Sequence, residues 1–274
     1  MTALPRTERL ALLLGVVVLG LGASRYLPLP SPVVALRLPG IPSIVTLTLT
    51  PVRQVSLVVG VLVCALVDDV VRHERRLASA GLSRTLPYWV LPVLLVLAAF
   101  SRFEALTGPA QQVAGLASSA LVVGATVVAQ MQSLDPGERW FAVARPGLYV
   151  LSYALALAAY YGAETLPLRA FVAIPLVALI SALLAMELLR SSQWSTRRTW
   201  GWAALVGLMM AEVAWALGPG VLSPRLASLV LLAVFYVLTG VLQQHLWGRL
   251  QRQVALEFAA MAAVALVVLV RLGG

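Results

Sequence analysis

The chain has no lysine: all twenty of its basic residues are arginine. Genome composition shapes that ratio, so the absence carries little functional information. Charge of either sign is scarce, at 11% of 274 residues, where a soluble domain carries about 25%. With 61% hydrophobic residues and a mean hydropathy of +0.93, this chain is not dressed for water. The single cysteine, Cys64, excludes an internal disulfide and sits in an apolar run, where it reads as a small buried hydrophobe. His73 and His245 are the only histidines. Two ligands do not make a zinc site, and neither lies mid-span opposite the other as a transmembrane haem requires. There is no Gly-rich phosphate loop, no serine elbow with a matching histidine and no recognisable nucleophile–base spacing. No cofactor and no bound metal are expected. Nor is any segment long enough for a separate soluble domain, so residues 1–274 read as a single integral membrane domain.

What is present is a succession of long apolar runs divided by short polar breaks. A membrane-spanning helix needs about 20 mostly apolar residues. The runs place spans at 10–27, 53–71, 86–102, 110–131, 141–162, 167–189, 200–217, 225–246 and 254–271. The fold class is therefore all-α, a polytopic transmembrane bundle of nine spans. Arg6 and Arg9, an apolar run and then "GLGAS" also fit a cleaved signal peptide, which would leave eight. An uncleaved first helix is the preferred reading.

Arginine placement sets the orientation, because cytoplasmic connections carry the positive excess. With the N-terminus inside, thirteen arginines fall on inner segments and seven on outer ones. After the first span, each inner connection outweighs the outer one that follows it. Trp89, Trp140, Trp194, Trp200, Trp202 and Trp247 fall at inner span ends, and Trp215 at an outer one, as indoles favour the headgroup level. This places the chain in a bacterial plasma membrane, N-terminus cytoplasmic and C-terminus extracytoplasmic. The net charge of +9 is then explained by orienting the spans and meeting anionic headgroups, without nucleic acid. The expected partners are membrane lipids, with other membrane subunits or a second copy of the chain.

The second connection departs from the helical pattern. "IVTLTLT" alternates apolar and threonine positions, and "PGIP" is a turn signal between two β-prone runs. A small extracytoplasmic hairpin over 33–50 is expected; the competing reading starts the second helix at Ile44, broken by Pro51. Small residues at four-residue spacing mark packing seams: Gly115 with Ser119, Ala120 with Gly124, Ser181 with Ala185, and Ala203 with Gly207. Pro92 and Pro175 are expected to kink their spans. No internal repeat is evident, which removes one pointer to a secondary transporter.

Glu212 is the one acid well inside a span, about 8 Å below the outer end of the seventh. Two readings stand. Arg225 begins the next antiparallel helix after a short turn, so a Glu212–Arg225 pair across the helical hairpin is geometrically cheap. Alternatively Glu212 lines an outward-opening polar cavity with Glu104, Glu164, Arg102 and Arg169 around its mouth, since intramembrane acids mark ion or proton paths. Gln111, Gln112, Gln130, Gln243 and Gln244 cluster near span ends and add little to such a path. The densest charge cluster is "DDVVRHERR", 68–76. Asp68 and Asp69 at a cytoplasmic helix end have the chemistry to hold Mg²⁺ for an isoprenoid diphosphate. No third aspartate at the right spacing and no second acidic motif supports that. Arg72, His73 and Arg76 follow at helical spacing, so local ion pairing accounts for both aspartates.

"AEVAWAL", "FYVLTGVLQQHLWGRL" and Glu257 resemble uncharacterised multipass bacterial membrane proteins over about the last 65 residues. The resemblance implies no activity and no functional residues. Three function classes follow from the residues themselves. The first is a non-catalytic structural or accessory membrane subunit, favoured by uniformly apolar spans and short loops. The second is a small permease or ion-coupled carrier using Glu212. The third is a membrane-embedded lipid- or isoprenoid-modifying enzyme using Asp68 and Asp69.

Overall fold

A computed structural model describes residues 6–36, 45–73, 81–134, 137, 139–165, 172–190, 196–218 and 222–246. The ninth expected span, 254–271, and Arg169 lie outside the described residues. The chain forms two compact units, Met1–Leu148 and Tyr149–Gly274. The first holds α1 (Arg6–Tyr26), β1 (Val33–Leu36), β2 (Val45–Thr48), α2 (Pro51–Arg72), α3 (Leu82–Glu104) and α4 (Pro109–Gln132). Helix α5 (Phe141–Glu164) begins there and continues into the second, which holds α6 (Ile174–Leu189), α7 (Thr196–Leu217) and α8 (Pro224–Leu246). Among the described residues these eight helices overlap the first eight expected spans, α6 beginning at Ile174 rather than 167, and the seven others are long and apolar enough to cross a membrane.

Prolines decide several boundaries. Pro51 and Pro109 stand in the first turns of α2 and α4, where a missing N–H costs nothing. Thr50 caps α2, its hydroxyl accepting from the Arg53 N–H at 3.4 Å. Pro92, with Pro87, lies inside α3, which continues through both. Pro175 was expected to kink the sixth span; instead it sits in the first turn of α6 and begins a 16-residue helix. The preceding residues 172–173 form a π turn. Between α1 and α2, β1 and β2 pair antiparallel with Val33 opposite Thr48 and Leu36 opposite Val45. Segment 45–48 is thus extended rather than the start of α2. The "PGIP" turn lies outside the described residues. The Gln54 side chain donates to the carbonyls of Pro30 and Leu49, at 2.7 and 3.0 Å, tying the first turn of α2 to both flanks of this ladder.

In the first unit, Leu13, Val17 and Leu21 recur every four residues along α1 and are fully buried. They share a core with Val59, Val63, Val67, Val70 and Val71 of α2, with Phe100 and Phe103 of α3, and with Val123, Val127 and Met131 of α4. Gly20 faces the Val59 side chain, and a Cβ on Gly124 would stand 3.2 Å from Leu14, so both glycines mark where α1 is approached closely. The Ala120–Gly124 seam is therefore a contact with α1.

In the second unit the tightest approach is between α6 and α7. A Cβ on Gly207 would stand 2.6 Å from the Ala178 carbonyl oxygen and 2.9 Å from the Ala182 Cβ. Ala203, one turn earlier, is buried as well. Hydrogen bonds join the other helices. The Tyr160 hydroxyl meets Ser181 Oγ at 2.7 Å, linking α5 to α6, and the Tyr153 hydroxyl meets Thr239 Oγ1 at 3.0 Å, linking α5 to α8. Phe235 stands edge-on to both tyrosines, with centroids 5.9 and 6.1 Å away. Ser181, Thr239 and Tyr160 are all fully buried, so each hydroxyl needs its partner.

Because the obstacle at Gly207 is backbone, a side chain there must push the helices apart. Gly207→Ala should lower stability by about 1–3 kcal/mol, and Gly207→Leu should destroy the α6–α7 contact. Gly201→Ala on the same helix, where a Cβ meets nothing within 4 Å, should be neutral or stabilising. Thermal unfolding of the three variants in one detergent measures the contrast.

Candidate functional site

The charge cluster on α2 is completed from α1. Arg9 stands four residues before Leu13 and continues the buried stripe Leu13–Val17–Leu21, so its side chain is carried into the helix interface and only 7% of it is exposed. Counted from the Gly20–Val59 contact, Arg9 lies eleven residues back along α1 and Asp69 ten residues forward along α2. At about 1.5 Å per residue the two antiparallel helices bring them to one level.

There Arg9 Nη1 donates to Asp69 Oδ2. The same guanidinium reaches the His73 ring, with Nη2 2.9 Å from Nε2. The ring's other nitrogen, Nδ1, lies 2.7 Å from the Asp69 carbonyl oxygen and 3.4 Å from Asp69 Oδ1. Arg9 Nη1 also lies 2.6 Å from Nδ1, so both ring nitrogens face the guanidinium. One residue earlier on the same helix, Arg72 Nε pairs with Asp68 Oδ2 at 2.5 Å. Two carboxylates thus meet two guanidiniums.

Both aspartates are consumed by arginine. The local pairing expected from helical spacing is present for Asp68 with Arg72 and Asp69 with His73. Spacing along one helix could not supply Arg9, which arrives from sixty residues away. No group of three or more metal-ligating side chains occurs among the described residues. Arg76 lies outside them.

The other candidate residues are dispersed. Glu212 is exposed on α7 and Arg225 is exposed at the start of α8. No hydrogen bond or ion pair joins them among the described residues. Glu104 and Arg102 are exposed at the end of α3, in the first unit; Glu164, half-buried, ends α5 in the second.

Two polar groups that the sequence placed near span ends are buried. Glu187, 2% exposed near the end of α6, pairs with Arg190 at 3.1 Å. The adjacent Leu188 carbonyl accepts from Gln243 Nε2 of α8 at 3.2 Å. Gln130 of α4 is fully buried, and neither amide atom has a hydrogen-bond partner among the described residues. His245 packs edge-to-face on Trp202 across α7 and α8, with centroids 5.9 Å apart.

Seven apolar helices of spanning length, with most of their charge near the ends, mark a helical membrane-embedded protein. Within that class the chain belongs to the DUF5656 family, described as proteins of unknown function, which matches residues 29–272. No curated protein and no solved structure matches it.

Asp69→Asn leaves a buried guanidinium without its counter-charge. Because Asp69 is half exposed, the expected cost is about 2 kcal/mol, below the 3–5 of a fully buried pair. Asp68→Asn breaks a helix-surface pair and should cost about 0.5 kcal/mol. Gln130→Met removes an unpartnered amide at similar volume and should raise stability by about 1 kcal/mol. Unfolding in mixed micelles gives all three; a loss on Gln130→Met would mean that the amide is satisfied.

Proposed function

We propose that this chain is a non-catalytic accessory subunit of a membrane assembly, and that α7 offers Glu212 to the partner. The observation that carries this reading is Glu212 itself. It lies inside an apolar helix, exposed, with no hydrogen-bond or ion-pair partner among the described residues. A carboxylate facing hydrocarbon is costly, and a basic or hydrogen-bonding side chain on a second polypeptide would offset that cost. Its neighbours on the helix, Leu208, Met209 and Trp215, are also exposed and large, so the same face supplies apolar contact.

The polarity inferred from the arginines, with the N-terminus cytoplasmic and the C-terminus extracytoplasmic in a bacterial plasma membrane, puts Glu212 in the outer half of the bilayer. It puts Arg9, Asp69 and His73 at the cytoplasmic end and the β1–β2 ladder outside. On this reading the α1–α2 charge cluster holds the two helices together, and Asp68 and Asp69 are not presented to an isoprenoid substrate.

A photo-crosslinking residue introduced at Leu208 or Trp215 should capture one polypeptide of fixed mass from intact membranes. The Glu212→Leu variant should lose that product while the purified chain keeps or gains thermal stability, since it gives up no internal ion pair. Capture of lipid alone at both positions would sink the subunit reading. A fall in stability of the isolated chain would instead show Glu212 to be satisfied internally.

A further inference from the structure

The second unit has a groove that the subunit reading does not use. It lies between the first turns of α7 and the last turn of α8, holds about 520 Å³, and is lined by Arg198, Gly201, Trp202, Leu205, His245 and Leu246. That volume is in the range of small-ligand sites. Among the described residues its lining includes one guanidinium, one imidazole and one indole, but no carboxylate. Gly201 keeps the wall open, since a Cβ there would meet nothing within 4 Å. Trp202 and His245 stand edge-to-face in the lining, and Leu205 and Leu246 are its large aliphatic side chains.

Depth gives the groove its meaning. In the sequence the apolar run of α7 begins at about residue 200, just after Arg197 and Arg198, and that of α8 runs to about 246, just before Arg249. The groove therefore opens where hydrocarbon gives way to headgroups, whichever way up the protein sits. A site there with a cation and ring N–H groups near the helix ends and Leu205 deeper in the span fits an amphiphile with an anionic head. An arginine has five donors in a planar fork suited to phosphate, so contacts to other groups leave donors for one more anion. Polybasic and aromatic side chains at this level favour anionic lipids over zwitterionic ones.

We propose that this groove is a binding site for one anionic phospholipid, with the phosphate held by Arg198 and His245 beside the Trp202 indole and an acyl chain laid along Leu205. The inference rests on the membrane placement proposed above but not on the subunit role. Glu212 does not line the groove, so the two sites can be tested separately.

The test is native mass spectrometry of the full-length chain in detergent, titrated with phosphatidylglycerol or phosphatidylcholine of the same acyl chains. One phosphatidylglycerol should be retained about fivefold more than phosphatidylcholine, the ratio expected for one arginine at an anionic headgroup. Arg198→Gln should bring retention down to the phosphatidylcholine level. Gly201→Leu, which puts a side chain into the groove from a position where a Cβ meets nothing within 4 Å, should do the same, and His245→Gln should lower it in part. Equal retention of the two lipids by the unaltered chain would overturn the proposal, as would a preference that survives both Arg198→Gln and Gly201→Leu. Displacement of the lipid by excess inorganic phosphate would also overturn it, identifying a soluble-anion site instead. Recovery of the chain from cells without detergent would refute the membrane placement, an outcome separate from any lipid preference.

Discussion

Hydrocarbon offers no hydrogen bonds, and that constraint governs most of what this chain does. Each backbone N–H and C=O within an apolar stretch must be satisfied inside its own helix, so the long runs become helices whatever else they contain. Pro87 and Pro92 are carried inside α3, while Pro51, Pro109 and Pro175 are placed where a helix begins. Large apolar side chains can then remain exposed, as Leu19, Leu121 and Val150 do, because their surroundings are no more polar than they are. What remains for the packing to decide is how helices recognise one another without a hydrophobic force between them.

The two units answer with the same means in different proportions. In the first, a stripe of leucine and valine on α1 meets valines on α2, and the interface ends in the Arg9–Asp69–His73 cluster. In the second, Gly207 brings backbone against backbone between α6 and α7, and hydroxyl pairs from Tyr153 and Tyr160 reach the flanking helices. Each arrangement is specific because it needs one residue type at one place. An alanine methyl at Gly207 is already too large. At position 9 a shorter cation would fall short of Asp69, His73 or both.

The charges divide into those used within the chain and those turned outward. Asp68, Asp69 and Glu187 each meet an arginine, Asp68 and Glu187 along their own helix and Asp69 across from α2 to α1. Glu212 and the groove around Arg198 do not follow that pattern. One is an exposed acid within a span, the other a cation at the edge of one, and they invite different partners: a polypeptide in the membrane and an anionic lipid at its surface. The family that includes this chain has no described function, so these two features are the places from which a function can be approached.

The first eight apolar runs, the close approaches at Gly124 and Gly207, and the pairing of Asp68 with Arg72 were legible in the sequence. Each depends on local periodicity, and a helix repeats every 3.6 residues regardless of its neighbours. The start of α6 at Ile174 was less legible, because an apolar run does not distinguish a proline that kinks a helix from one that begins it. Arg9 was not recognised as the partner of Asp69, although its four-residue spacing from Leu13 places it on the buried face. The expected Glu212–Arg225 contact has no counterpart in the described structure. Nearness along a helical hairpin sets which ends meet, but not which way a side chain turns about its helix. Pairing across helices depends on rotation and register, and these are set by the packing of many side chains at once. The sequence by itself determined the helices and the levels at which charge lies along them. Only the tertiary structure decided that Arg9 closes the aspartate cluster, that Gln130 is sealed in, and that a groove opens over Gly201, because each depends on which helix faces which.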